Sequence, residues 1–218
     1  MQHSTQGIVL TTTRYKDNAY IVNIFTKDFG KVSYTVYNPQ SKRAKIKLQH
    51  LQPMSLLEME VTHRENRDIQ QLTEAKLHPL SYQLYEHPGK ISICFFLAEV
   101  IQKSIETTNI DYELFHFMEH SIETLVLSKE IQSYPLAFLL DFSKYIGIYP
   151  YDEAENEVIR YLPKEDKELF LQLLKDRQPL SLGERRKAMQ LLIAYYKHYL
   201  PGMGEMKSLS VLTELFSA

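Results

Sequence analysis

The sequence predicts an α+β fold, in which a small five-stranded β-barrel is followed by an all-α domain. Before His78, five short segments are rich in β-branched and aromatic residues, and several alternate between apolar and polar side chains. After Pro79 the apolar residues recur instead with a helical period of about 3.6. We therefore expect residues 1–80 to form the barrel domain and residues 81–218 to form the helical domain.

The barrel prediction depends on the strands and on the turns between them. Asp28-Phe29-Gly30 connects the second strand to the third, with Gly30 free to take the positive φ of a hairpin bulge. Five short antiparallel strands favour a closed barrel, and the OB-fold is the commonest such barrel that binds nucleic acid. An SH3-like barrel is the alternative fold. The predicted strands are 7–13, 20–27, 31–37, 55–63 and 69–77, with a polar turn at 64–68.

The helical domain is predicted from apolar periodicity and from capping signals. Its central helix is apolar on nearly every side and should be buried. Ser181 and Glu184 have the spacing of a capping box. In chain order, we predict helices at 90–106, after the cap Asp111, at about 135–146 before Gly147, after Pro163, from Ser181 to Tyr199, and at 209–216.

Composition and cysteine content exclude several classes of protein. The chain is 44% hydrophobic and 24% charged, which is ordinary for a soluble globular protein. No secretory leader is apparent, and the longest apolar run, 91–101, is too short to cross a bilayer. The single cysteine, Cys94, lies in an apolar segment, so we expect a buried thiol, no disulfide within the chain, and a cytoplasmic location.

Positive charge is concentrated near the N-terminus. Residues 1–50 hold eight of the 25 Lys and Arg but only two of the 27 Asp and Glu. The densest part follows the third strand, where Lys42, Arg43, Lys45 and Lys47 fall within six residues. A mobile cationic connection between two strands is typical of a polyanion-binding surface. The alternative is a solvated loop whose charges only keep the protein soluble.

The leading hypothesis from these residues is a nucleic-acid-binding surface. Tyr15 and Tyr37 are predicted to be exposed and to stack bases, whereas Tyr20 and Tyr34 alternate with strand valines and should pack inside the barrel. The residues predicted to neutralise phosphates are Arg14, Lys16, Lys31, Lys42, Arg43, Lys45 and Lys47.

Little in the sequence points to catalysis. His116 and His120 lie four residues apart on a predicted helix, but no convincing third metal ligand accompanies them, and Phe117 stands where a zincin helix would carry its general base. The sequence contains no Gly-rich phosphate loop and no Ser/His/Asp signature. We predict a protein that is not an enzyme and that uses no cofactor or metal, and a metal-dependent hydrolase is the remote alternative.

The order of these features resembles the RecO family of bacterial DNA repair proteins over essentially the whole chain. The opening GIVLTTTRYKDNAYIVNIFTKDFGKVSYTV is similar to the start of that family and is followed by a basic loop and the Leu51-Gln52-Pro53 segment. The segment 138–150, FLLDFSKYIGIYP, resembles the family's helix ending in Leu-Gly-x-x-Pro. The closing segment 207–216 resembles its C-terminal helix.

This resemblance implies an OB-fold and a helical domain in a recombination mediator of the bacterial cytoplasm and nucleoid. It implies binding to single- and double-stranded DNA, annealing of complementary strands and, with RecR, loading of RecA onto DNA coated by single-strand-binding protein. Many members carry four cysteines after the Gly-x-x-Pro segment, whereas this chain has Tyr151-Asp152-Glu153-Ala154, so zinc is not expected.

The partner surfaces are predicted from the same resemblance and from local charge. Arg185, Arg186 and Lys187 open an amphipathic helix, where they would hold the acidic, hydrophobic-ended tail of single-strand-binding protein. The alternative function, from a different class, is a protein-interaction adaptor whose small barrel binds a protein partner and whose basic loop is incidental.

Overall fold

The structure is a computed structural model that describes residues 1–64, 66–105, 109–152, 155–175 and 179–215. Contacts divide the chain into two compact units, Met1–Ser128 and Lys129–Ala218. The predicted domain boundary at residue 80 stays a prediction, because the first unit contains three helices in addition to the barrel.

Five strands close the barrel in the order β1-β2-β3-β5-β4, so the predicted OB-type barrel is confirmed. One detail of the prediction is wrong, since the strands are not all antiparallel. β3 and β5 pair in parallel, with Ser33 opposite Ile69 and Thr35 opposite Gln71, because β5 returns across the barrel to close it. The strands are β1 (Gln2–Lys16), β2 (Ala19–Thr26), β3 (Gly30–Tyr37), β4 (Leu56–Thr62) and β5 (Ile69–Leu77).

The barrel interior is filled by side chains from alternate strand positions. Tyr20 and Tyr34 are buried there, as predicted from their alternation with valines. Gly7 on β1 is required by a close approach, because a Cβ at this position would lie 2.5 Å from Cγ2 of Ile24. Gly30 has φ of 64°, the positive value expected at the β2–β3 turn.

The α-helices among the described residues of the first unit are α1 (Pro79–Leu84), α2 (Pro88–Ser104) and α3 (Tyr112–Leu127). α1 was not predicted. The Asp111 cap is confirmed, since its carboxylate accepts a hydrogen bond from the Leu114 N–H at 2.9 Å. Cys94 is fully buried in α2, and burial raises the pKa of its thiol to about 12. The predicted end of α2, Glu106, lies outside the described residues.

The second unit contains the remaining helices. Both hydrogen bonds of the predicted Ser181–Glu184 capping box are present. Gly147, with φ of 75°, follows the end of α4, as predicted. The predicted last residue of the final helix, Phe216, lies outside the described residues. The helices are α4 (Tyr134–Tyr145), α5 (Glu157–Arg160), α6 (Lys164–Lys175), α7 (Leu182–Tyr199) and α8 (Lys207–Leu215), and α5 was not predicted. No described helix is long and apolar enough to cross a membrane.

Candidate nucleic-acid interface

The basic connection between β3 and β4, residues 38–55, is folded onto the barrel. Ile46 and Leu51 are buried members of the barrel core. The Gln40 amide donates to the Tyr20 hydroxyl at 2.7 Å, and the Thr12 hydroxyl donates to the Leu51 carbonyl at 2.6 Å. The expectation of a free, mobile connection is therefore corrected, because apolar and polar contacts fix the backbone that carries the cationic side chains.

The four cations of this connection are not equivalent. Lys42 and Arg43 are exposed, and neither side chain has a hydrogen-bond or ion-pair partner among the described residues. Lys45 Nζ lies 2.5 Å from a carboxylate oxygen of Glu74 on β5. Lys47 Nζ donates to the Lys42 carbonyl at 2.7 Å, so it stabilises the connection itself. Two of the four cations are thus available to an external anion without breaking a contact.

The Lys45–Glu74 pair competes with any anion that Lys45 would bind. Both side chains are exposed, and the hydrogen bond from Lys45 lowers the pKa of the Glu74 carboxyl below its ordinary value. The carboxylate is therefore ionised throughout the neutral range, and lowering the pH through its folded pKa releases Lys45. An exposed pair of this kind exchanges readily with a phosphate because its net stabilisation is small.

The β1–β2 hairpin places further candidates at the same end of the barrel. The registers pair Lys16 with Ala19 and Ala19 with Tyr37, so these residues form one row across β1, β2 and β3. Tyr15 and Tyr37 are 58% and 62% exposed, as predicted. The Asn38 N–H donates to the Asn18 carbonyl at 2.7 Å, which links the hairpin tip to the start of the basic connection.

Each cation of the hairpin has a weak local contact. Arg14 lies 3.7 Å from the Asp17 carboxylate, and both side chains are largely exposed. Lys16 Nζ lies 5.2 Å from the centroid of the Tyr15 ring. These contacts leave both cations at the surface, where they are accessible to phosphates.

Lys31 is not brought together with the other cations. Its Nζ donates to the Gln102 carbonyl at 3.1 Å and to the Ile105 carbonyl, both at the C-terminal end of α2. A cation at this end of a helix is favoured by the helix dipole and satisfies terminal carbonyls. The role of Lys31 in DNA contact stays a prediction, while the structure shows a role in joining the barrel to α2.

The outer face of β1, β2 and β3 carries a chain of uncharged polar side chains. The Asn23 amide donates to Thr11 Oγ1 at 2.8 Å, and Ser33 Oγ donates to Asn23 Oδ1 at 2.6 Å. The register places these three residues side by side across the strands. A face that carries no carboxylate here does not repel a polyanion that crosses it.

Two arginines that sequence reasoning missed lie beside Tyr37. Arg64 and Arg67 in the β4–β5 loop line a shallow concavity together with Tyr37 and Gln71. The sequence presents 64–68 only as a polar turn, and the signal that was overlooked is the presence of two arginines in it. The sequence did not predict the pairing of Gln71 with Thr35 of β3 and with Thr62 of β4, which brings these three strands together in the lining of the concavity.

In the second unit, two of the three predicted docking cations border an apolar pocket. Arg185 and Arg186 line it together with Leu136 of α4, Met189 of α7 and Leu212 of α8. Arg185 Nη1 also donates to the Leu180 carbonyl at 2.6 Å, and Lys187 Nζ lies 2.9 Å from the Asp166 carboxylate on α6. The arrangement of an apolar pocket with guanidinium groups at its edge suits a ligand with an apolar side chain next to a carboxylate.

The histidines of α3 are directed to different acids. His116 Nδ1 lies 3.2 Å from Glu119, and His120 Nδ1 lies 3.5 Å from Glu123. Within the described ranges, no three His, Cys, Asp or Glu side chains gather where they would hold a metal ion. These residues therefore form an exposed helix face on which each histidine contacts a neighbouring glutamate.

The segment that carries cysteines in many RecO proteins does not fit zinc in this chain. The one thiol, Cys94, is fully buried in α2 of the other unit. In the segment after α4, Asn156 caps α5 and donates to the hydroxyls of Tyr195 and Tyr199 at 3.0 and 3.2 Å. The Tyr195 hydroxyl donates to the Ile148 carbonyl at 2.6 Å. Hydrogen bonds to α7 thus hold Ile148 and Asn156 of this segment.

Comparisons with known proteins agree with this architecture. Residues 1–80 match the family model described as Recombination protein O N terminal. The chain is 31% identical over 242 residues to a DNA repair protein RecO of Phocaeicola vulgatus, with 100% of each chain covered. It is 30% identical to the RecO of Bacteroides fragilis and 29% identical to that of Azobacteroides pseudotrichonymphae, with 99% of this chain and 100% of each relative covered.

Proposed function

The chain belongs to the RecO family of DNA repair proteins, and we propose that it acts as a recombination mediator that binds single- and double-stranded DNA and anneals complementary strands. It is a DNA repair and recombination protein and not an enzyme. We further propose that it works with RecR to assist the loading of RecA onto single-stranded DNA coated by single-strand-binding protein.

One observation supports DNA binding more than any other: exposed cations and exposed tyrosines share one end of the barrel. Lys42 and Arg43 lie on the folded basic connection, and the Asn38–Asn18 hydrogen bond joins that connection to the hairpin carrying Tyr15. Phosphates would be neutralised by the cations while exposed rings stack bases. Lys45 would add a further phosphate contact when it exchanges Glu74 for DNA.

The same surface explains how annealing would proceed. Two single strands repel each other through their phosphates, and a protein that neutralises several phosphates lowers that repulsion. Stacking on a tyrosine is tolerant of sequence and holds bases apart from one another. Complementary strands held in this way remain free to pair through their Watson–Crick edges.

The test is a comparison of the unaltered protein with a variant in which Lys42, Arg43, Lys45 and Lys47 are replaced by Glu. Fluorescence anisotropy with labelled single-stranded and duplex DNA should show binding by the unaltered protein that weakens with salt and is lost in the variant. Annealing of complementary oligonucleotides should be lost in parallel. An adaptor with an incidental loop would show weak binding that the replacement hardly alters.

We propose that the second unit binds the acidic tail of single-strand-binding protein at the pocket beside Arg185 and Arg186. The terminal carboxylate would pair with the guanidinium groups while the apolar end of the tail enters between Leu136, Met189 and Leu212. The pairing of charges at the edge of the pocket fixes the orientation in which the peptide binds, and the apolar contact supplies affinity.

Calorimetry with a tail peptide tests this docking site. Replacement of Arg185 and Arg186 by alanine should weaken binding by about 10-fold or more, since removing a charge-assisted hydrogen bond costs roughly 1.5–3 kcal/mol. Lys129→Ala combined with Lys197→Ala is the matched control, because it removes the same charge from exposed positions that do not line this pocket. Equal loss in the control, or equal binding of a peptide lacking its last residues, contradicts the proposed site.

A further inference from the structure

We propose that the end of β3 and the β4–β5 loop form a nucleotide-binding subsite for single-stranded DNA, in which Arg64 and Arg67 bind phosphates and Tyr37 stacks a base. The inference rests on the proposed DNA-binding function and deepens it, because it adds the two arginines of the β4–β5 loop to the contacts already predicted for Tyr37, for the basic connection of residues 38–55 and for the β1–β2 hairpin.

The three residues line one shallow concavity of about 100 Å³. Thr35, Gln71 and Thr62 line it too, and they pair in one row across β3, β5 and β4. Thr35 and Gln71 are opposite each other in this register and form the polar floor between the ring and the loop. The site is large enough for the edge of a single base or sugar and open enough for the strand to continue on either side.

The backbone of both arginines is held in place by a buried side chain of β5. The Gln70 side chain is 5% exposed, and its amide donates to the Arg64 carbonyl at 2.8 Å and to the Arg67 carbonyl at 2.6 Å. Its oxygen accepts a hydrogen bond from the Arg64 N–H at 2.8 Å. Because these hydrogen bonds hold the backbone of Arg64 and of Arg67, DNA binding has mainly to order their side chains, which reduces the entropic cost.

The two guanidinium groups are available to an anion. Both arginines are exposed, and neither has an ion pair with any acid in the part of the chain that the structure describes. This distinguishes them from Lys45, which is paired with Glu74, and from Lys31, which is bound to helix carbonyls. Arginine also suits the purpose, because its planar donors match two phosphate oxygens and it stacks on bases.

The exposed ring of Tyr37 selects for single strands. Its ring is 62% exposed, and Ile69 of β5, 41% exposed, lies in the same concavity and extends the apolar platform. A base can lie flat on such a platform only if it has left the stack, and in duplex DNA both faces of each base are covered by its neighbours. The ring therefore contributes to the binding of single strands and not of duplexes.

The experiment measures binding of full-length variants to a labelled oligo-dT and to a duplex over a range of salt concentrations. Arg64→Ala combined with Arg67→Ala should reduce the slope of log K against log salt for oligo-dT by about 1.4. Each phosphate contact releases roughly 0.7 counterion, and the variant makes two contacts fewer. Lys129→Ala combined with Lys197→Ala is the matched control, because both side chains are exposed and the charge change is equal.

Tyr37 is tested on its own. Tyr37→Ala should weaken binding of single-stranded DNA by roughly 5- to 150-fold, the range found for loss of one stacked base, while leaving duplex affinity unchanged. Tyr37→Phe keeps the ring and should retain the affinity. Far-UV circular dichroism and the thermal midpoint should be unchanged in all of these variants, because the altered side chains are exposed.

The outcomes separate the two proposals. If the arginine variant binds with the affinity and salt slope of the control, or if Tyr37→Ala weakens duplex binding as much as single-strand binding, the subsite is wrong while DNA binding stands. If the unaltered protein does not bind either DNA at low salt, the DNA-binding function is wrong, and the subsite falls with it. Selective loss in both variants supports the subsite.

Discussion

Replacing Lys42 and Arg43 together by alanine is expected to remove a defined part of the affinity for single-stranded DNA. These two side chains are the exposed cations of the basic connection that have no partner among the described residues. Alanine removes the charges without adding repulsion. The backbone of the connection should keep its conformation, because Ile46 and Leu51 remain in the barrel core.

The magnitude follows from counterion release. Loss of two phosphate contacts should flatten the slope of log K against log salt by about 1.4, since each contact releases roughly 0.7 counterion. If the contacts contribute nothing at 1 M salt, the affinity should fall roughly 60-fold at 50 mM salt and roughly 15-fold at 150 mM. Lys45→Ala should lower the affinity less than Lys42→Ala or Arg43→Ala alone, because Lys45 must leave Glu74 before it can contact a phosphate.

The assay is an anisotropy titration of labelled oligo-dT at four or more salt concentrations, with the thermal midpoint of each variant measured in parallel. Exposed substitutions of this kind shift stability by about ±0.5 kcal/mol or less, so the midpoint should hardly move. The reasoning is refuted if the double variant keeps the slope of the unaltered protein. It is also refuted if Lys45→Ala flattens the slope more than the double variant does.

Three further predictions concern other contacts of the structure. Glu74→Gln should strengthen DNA binding and steepen the salt slope by up to about 0.7, because Lys45 is then free to contact a phosphate; weaker binding in the same titration would contradict this. Elemental analysis should find no stoichiometric zinc, and a chelator should leave the thermal midpoint unchanged, whereas Asn156→Ala should cost about 1–2 kcal/mol through loss of the α5 cap and of the bonds to two tyrosine hydroxyls. A midpoint that falls in chelator would show a structural metal. Because burial raises the pKa of Cys94 to about 12, a thiol reagent at pH 8 should label the protein only after denaturant is added, and prompt labelling of the folded protein would argue against this burial.

The candidate site was predictable where the signal was local. Strand alternation separated the buried Tyr34 from the exposed Tyr37, because successive side chains of a strand point to opposite faces. Clustered charge located the basic connection. Local pattern could not show that Ile46 anchors that connection, or that Lys31 reaches the end of α2. Both contacts join residues that are close in space only after the barrel and helices have assembled.

The sequence by itself determined the fold class, the number of strands, the helix caps and the region of positive charge, since each depends on periodicity or on residues a few positions apart. The tertiary structure alone decided which cations are available. Lys45 of the β3–β4 connection contacts Glu74 of β5, and Arg64 and Arg67 line one concavity with Tyr37 only after β3, β5 and β4 have paired. The physical reason is that the electrostatic environment of a side chain depends on distances of a few ångströms between residues that are far apart in sequence, and strand pairing sets those distances.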